Sequence, residues 1–258
     1  MKLPIFSIIN VIVVASSQVS RPQFSVHEGE PYNFCFDKTW STKNAFRTCV
    51  EMTIVQNGLK LSIEAKNDTI QENAYVQCND DLYNQEVVEV FIANSTNIPE
   101  KYVLFSLSLS SSHAIHTNNR YWEVEVSPRG SVWLGYDSNP GGDRHNLSHV
   151  YYPCEMVEAN VSNFASFWRA DLLITKDMLG EGVSDCGKNC RHYTANFFRV
   201  QMIPSIWTPY IGHVTRDMVC SPENCSFSCA NRPNTPAPDF HQTKYFGDLY
   251  LHYNTVVS

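Results

Sequence analysis

Glu89 is the residue whose surroundings most need explaining. It lies between Val87 and Phe91 on one face of an apolar run, Glu86 to Ala93. A carboxylate there loses its hydration unless a cation or a ligand compensates. Arg199 repeats the pattern between Phe197 and Gln201, with Phe198 and Val200 facing the other way. Two arrangements answer this. One is an ion pair of Glu89 with Arg199 across a sheet. The other is a polar groove in which carboxylate and guanidinium bind hydroxyl groups. Glu123 and Glu125 have the side chains of a glycosidase acid pair, and equally those of any strand with outward charges. His113 with His116 and His145 with His149 are imidazole pairs that could ligate a metal. Both lie in loops and the second brackets Asn146, so no metal site is assigned. Met156, Met178, Met202 and Met218 would suit haem ligation, but no Met–His pair is placed by the sequence, and no cofactor is expected. Gly-x-Ser-x-Gly, His-Glu-x-x-His and Gly-x-Gly-x-x-Gly are all missing, so no catalytic residue is assigned and enzymatic activity is not expected. The 5 Trp, 13 Tyr and 14 Phe fill β-sheet cores or stack on the C–H faces of sugar rings.

The elements that must carry these groups read as strands. Met52 and Ile54, then Leu59, Leu61, Ile63 and Ala65, alternate with polar residues, and Asn57-Gly58 between them signals a hairpin. Further strands are expected at 86–93, 102–109, 121–126, 132–136, 166–174, 195–202 and 248–253. Trp122, Val124 and Val126 share one face; Tyr121, Glu123 and Glu125 share the other. Thr175 to Leu179 suits one turn of helix, and residues 21–48 read as an irregular lead-in. The fold expected is all-β, an antiparallel jelly-roll-like sandwich of two packed sheets with long disulfide-stapled loops.

A hydrophobic share of 43% supports a buried core, and a net charge of −7 argues against a nucleic-acid partner. Lys2, the apolar stretch Ile5 to Val14 and the small residues Ala15, Ser16 and Ser17 read as a signal peptide over 1–17, too short to span a membrane. The mature chain, 18–258, then forms a single domain, secreted and extracellular. Asn67, Asn94, Asn146, Asn160 and Asn224 head glycosylation sequons. Nine cysteines, Cys35, Cys49, Cys78, Cys154, Cys186, Cys190, Cys220, Cys225 and Cys229, suit an oxidising compartment. Cys35 with Cys49 and Cys78 with Cys154 are candidate pairs. One or two bridges are expected between Cys186/Cys190 and Cys220/Cys225/Cys229. One cysteine is left over for a thiol or an intermolecular disulfide.

The order of the segments resembles the family 9 carbohydrate-binding modules. Residues 81–92 (DLYNQEVVEVFI), 121–128 (YWEVEVSP), 168–174 (WRADLLI), 196–199 (NFFR), Phe240-His241 and 246–251 (FGDLYL) are similar to that family's strand motifs, in the same order. The resemblance implies a non-catalytic sandwich in which two aromatic rings clamp a terminal sugar. Tyr83 stands where the first clamp Trp would be, three residues before Glu86 and six before Glu89, which matches a sugar-contacting Glu. Phe240 is the candidate for the second clamp, with Trp207 its rival. The resemblance thus implies Tyr83, Glu89, Phe240 and Trp207 as ligand residues and a saccharide or glycan as partner, and the groove reading adds Glu86 and Arg199 to the candidate ligand set. The alternative is an extracellular protein-interaction or structural domain that has lost sugar binding, with Tyr83 buried or isolated. A glycoside hydrolase would be associated only as a separate chain.

Overall fold

The computed structural model describes residues 21–40, 46–66, 72–94, 119–142, 144, 146–207 and 214–254. The expected signal peptide, the strand at 102–109, Asn67, His113, His116 and His145 lie outside the described residues. In chain order the strands are β1 (Gln23–His27), β2 (Tyr32–Phe36), β3 (Lys38–Thr39), β4 (Thr48–Val55), β5 (Gly58–Lys66), β6 (Val87–Asn94) and β7 (Arg120–Val126). They continue with β8 (Val132–Ser138), β9 (Ser148–Tyr151), β10 (Glu158–Asn163), β11 (Phe167–Thr175), β12 (Cys190–Met202), β13 (Cys225–Cys229) and β14 (Gly247–His252). One sheet runs β10-β11-β5-β4-β2. The other runs β1-β14-β12-β6-β7-β8-β9, with β13 on β12 and β3 on β13. Every pairing is antiparallel except β1 with β14. This is the packed all-β architecture that the alternation indicates.

Several elements differ from the expectation. The lead-in is not irregular: β1 and β2 lie within it and add to both sheets. Its aromatics alternate, with Phe24 and Val26 buried and Gln23 and His27 exposed. The hairpin turn is Gln56-Asn57, one residue earlier than read, because Val55 pairs with Gly58. Gly58 opens β5 at φ +152, and a Cβ there would fall on the carbonyl oxygen of Ile174, so the backbones meet where only glycine fits. The expected helical turn is α1 (Lys176–Leu179), capped by Thr175, whose Oγ1 accepts from the Met178 N–H at 3.4 Å.

The sheets pack through Met52, Leu61 and Ile63 on one side and Val90, Val124, Leu134 and Leu251 on the other, all buried. Each such side chain contributes about 1.5–3 kcal/mol. A second core lies on the outer face of the larger sheet, where Phe91, Tyr121, Phe198, Phe240 and Phe246 cluster beneath the chain after β12. The larger sheet is thus covered on both faces near its centre. This is why seven residues of β6, Val87 to Ala93, are buried in succession.

Glu86 and Arg199 are the main correction to the expected ligand set. Arg199 does pair with a carboxylate, but the carboxylate is Glu86, not Glu89. The Arg199 Nη2 donates to Glu86 Oε1 at 2.6 Å and its Nε to the same oxygen at 3.0 Å. Nη1 reaches Thr48 Oγ1 at 3.3 Å and Nη2 the Lys66 carbonyl at 2.8 Å. Glu86 also accepts from Trp168 Nε1 and the Met202 N–H. Both residues are 0% exposed. Period-two geometry explains the outcome: Arg199 shares the inward face with Phe197, and Glu86 shares the inward face of its run with Val88 and Val90.

The cysteines pair Cys35–Cys49, Cys78–Cys154, Cys186–Cys190 and Cys220–Cys225. The bridges expected between the last two groups are absent from these four pairs; each group closes on itself across four or five residues. Cys229 stands outside the four and is buried in β13. No helix among the described residues is long and apolar enough to cross a membrane.

Candidate functional site

Five neighbouring strands bring acidic and aromatic side chains together on the outer face of the larger sheet. Glu89 on β6 is paired with Phe198 on β12 and with Glu125 on β7. Glu125 in turn faces Trp133 on β8, and two residues along β7 Glu123 faces Gly135. Tyr121 faces Asp137, which faces His149 on β9. Alternation places all of these on one face. Gly135 permits the arrangement, since a Cβ there would overlap the Trp133 ring. The ring is thereby free to lie across the strand, with its edge toward His149 and Tyr151.

The segment after β13 covers one side of this row. Phe240 stacks on Phe198 with centroids 4.2 Å apart. Asn139 Nδ2 donates to the His241 carbonyl at 2.7 Å, and the His241 Nδ1 lies 2.7 Å from the Tyr121 hydroxyl. A cavity of about 200 Å³ remains between cover and sheet. Glu89, Glu123 and Glu125 form its floor, Trp133 and Phe240 its apolar sides, and Arg144 and His149 also face it. Tyr83 and Tyr151, 45% and 59% exposed, stand at its mouth.

The electrostatics are those of buried acids with little compensation. Glu89 Oε1, Glu123 Oε2, Glu125 Oε2 and Asp137 Oδ2 are buried and have no hydrogen-bond partner among the described residues. Burial pushes the Glu89 carboxyl up to about 8, against the pull of Arg144. Burial, and then the Asp137 charge, push Glu123 well above the usual carboxylate range. Glu125 is raised by burial and then by Glu89. Burial lowers His241 to about 4, with Arg144 acting in the same direction. A carboxyl raised this far keeps its proton near neutral pH, so it can both accept from and donate to a hydroxyl that enters, and each unmade bond costs about 1–3 kcal/mol. Asp137 Oδ1 is satisfied by His149 Nδ1 at 2.8 Å.

Of the residues singled out in the sequence, Tyr83, Glu89, Glu123, Glu125, His149 and Phe240 meet at this cavity. Glu86 and Arg199 lie on the opposite face of the sheet, bonded to each other. Trp207 packs against the outer core, and its ring N–H donates to the Asn224 carbonyl at 3.2 Å. Sequence reasoning missed Asp137, Arg144, Trp133 and Tyr151, and treated Glu123 and Glu125 as outward charges. One signal was present. Tyr121 shares their face, and the apolar neighbours of Glu89 already imply that the same face of the next strand is covered.

No protein-family model and no curated protein matches the chain. Among solved structures, it is similar to a candidate carbohydrate-binding protein of Bacteroides uniformis, with TM-score 0.55 and 14% identity over 85% of this chain and 86% of that one. It is also similar to a family 9 carbohydrate-binding module of Caldicellulosiruptor kristjanssonii solved in complex with cellotriose. There the TM-score is 0.52 and the identity 10%, over 91% of this chain and 95% of that one. The chain therefore has a β-sandwich fold like that of the family 9 carbohydrate-binding modules.

Proposed function

We propose that this chain is a secreted, non-catalytic carbohydrate-binding module whose cavity takes the end of a saccharide. The observation that carries the reading is the row of buried carboxylate oxygens without partners, opening on a cavity edged by exposed Tyr83 and Tyr151. Sugar hydroxyls donate to such oxygens, and the C–H faces of a sugar ring stack on tyrosine. The size of the cavity favours a terminal sugar over a long stretch of chain. The likeness to a module solved with cellotriose supports the same reading. Exposure of Tyr83 at the cavity argues against a domain that has lost the site.

In this reading residues 1–17 are removed and residues 18–258 act as one module outside the cell. Four disulfides support an oxidising destination. Asn146 and Asn160 are exposed as glycan sites require, whereas Asn94 and Asn224 are half-buried. The Asn224 amide already bonds Val219 and Ser221. The test is a glycan array with the secreted protein, followed by calorimetry on the best ligand with Glu89→Gln and Tyr83→Ala. Loss of affinity in both variants, with folding retained, is expected. Unchanged affinity in both removes this cavity as the saccharide site.

A further inference from the structure

We propose that Glu123, Asp137 and His149 form a binding site for a divalent cation of the zinc or manganese class. Each offers one donor atom, and the three atoms lie within 4.8 Å of one another. Donors around one such ion, at about 2.0–2.2 Å from it, stand about 3–4 Å apart, so small side-chain rotations close the set. The three sit on adjacent strands, β7, β8 and β9, whose register fixes their spacing. A rigid sheet positions ligands better than loops do.

An independent observation points the same way. Asp137 is 0% exposed and Glu123 4%, yet Asp137 Oδ2 and Glu123 Oε2 have no hydrogen-bond partner among the described residues. Glu125 Oε2, also buried without a partner, lies in the same cavity. The cationic group that faces the cluster is the exposed Arg144, and the His241 imidazole beside it is kept neutral by burial. His241 Nδ1 is 3.7 Å from Asp137 Oδ2 and 4.0 Å from Glu123 Oε2, and it is already engaged by Tyr121. A dication would satisfy both orphaned oxygens at once.

The donor set selects the class. One imidazole with two carboxylates suits zinc or manganese, whereas calcium requires about 6–8 oxygen ligands. Three protein ligands leave a coordination position open toward the cavity, as in zinc sites that accept an exogenous group.

This inference goes beyond the saccharide reading, and the two fail separately, since the decisive titration contains no sugar. Chelator-stripped protein is titrated with Zn²⁺, Mn²⁺ and Ca²⁺ by calorimetry, and its melting temperature is followed with each ion. One equivalent of Zn²⁺ or Mn²⁺ should bind and raise the melting temperature. His149→Ala and Glu123→Gln should each weaken binding about tenfold or more, while His27→Ala, on the opposite edge of the sheet, should leave it unchanged. The His149 side chain is 31% exposed, so its removal spares the core and decides the matter even where Glu123→Gln fails to fold. Absence of Zn²⁺ and Mn²⁺ binding, binding of Ca²⁺ alone, or full binding in His149→Ala overturns the site. Glycan affinity of the stripped protein then tests the saccharide reading on its own.

Discussion

Glu89 and Glu125 stand directly opposite each other on adjacent antiparallel strands, and both are buried. Two charges in that position would destabilise a sheet, and burial instead pushes both carboxyls toward the neutral form. Elsewhere the same face carries Val87, Phe91, Phe198 and Val200, any of which would pack better there. The sheet therefore holds an acidic pair at a cost to its own stability, beside a cavity through which a ligand can reach it.

The first prediction follows from that cost. Glu89→Gln replaces a buried, raised carboxyl by an amide of the same shape and removes its tendency to ionise. Its stability should be unchanged or higher by up to about 1 kcal/mol. Its affinity for a bound saccharide should fall several-fold, as the carboxyl O–H donor is lost and a neutral hydrogen bond is worth about 0.5–1.5 kcal/mol. Thermal melts and calorimetry on the same preparation give both numbers, and a large drop in melting temperature would contradict the argument.

Glu86→Gln should behave in the opposite way. It leaves the Arg199 guanidinium buried against a neutral amide, in a place where both partners are 0% exposed. Breaking such a pair from one side costs about 3–5 kcal/mol. Urea unfolding should show that loss, and the folded fraction should bind its saccharide with unchanged affinity. Reduced affinity without destabilisation would return Glu86 to the site.

Tyr83→Ala tests the mouth of the cavity. The ring is 45% exposed, so its removal should shift stability by less than about 1 kcal/mol. Stacking on a sugar face should be lost, with affinity falling several-fold to tenfold. An unchanged binding isotherm would show that the ring is a bystander.

Why the sequence disclosed some of this and not the rest is a matter of range. Local alternation is enough to show that Leu59, Leu61 and Ile63 share a buried face, and that Glu89 sits where a charge should not. It cannot show that Asp137 and His149 are paired across β8 and β9, because register depends on strand partners. β9 has no alternation to read: all four of its residues are exposed. Glu123 and Glu125 looked solvent-facing because the cover over them comes from Phe240 and His241, more than a hundred residues later. Arg199 was recognised as a buried charge, but Glu86 and Glu89 are both acidic and three residues apart, and only the inward or outward sense of the strand separates them.

The Cys78–Cys154 bridge should matter more than its surface position suggests. It closes 76 residues, including β6, β7 and β8, which carry most of the cavity floor. A loop of that length contributes roughly 4 kcal/mol on the chain-entropy account. The double serine variant should melt well below the native protein. The double variant at Cys186 and Cys190, which closes only four residues, should lose much less. Equal losses in the two would argue against loop closure as the source.

The last prediction concerns pH and lies where β12 pairs with β14 in the larger sheet. His192 Nδ1 is 3.0 Å from Asp185 Oδ2, and Nε2 is 3.0 Å from Asp248 Oδ1. Tyr250, stacked on the ring at 4.5 Å, is the other titratable group against it. Only the imidazolium can donate to both carboxylates at once. Burial opposes the charge, but the bonds to Asp248 and Asp185 outweigh it, and the folded pKa is raised. A group whose pKa is raised on folding contributes its full stabilisation below the unfolded value, near 6.5, and loses it as pH rises through the folded value. The native protein should therefore be more stable at pH 6 than at pH 8.5 by more than the His192→Asn variant is. At pH 6 the variant should be weaker by roughly 1–2 kcal/mol, a figure reduced because Asp185 is partly exposed. At pH 8.5 the gap between the two should narrow. Urea unfolding of both proteins across that range gives the comparison, and a gap that widens with pH would mean that His192 is buried neutral instead.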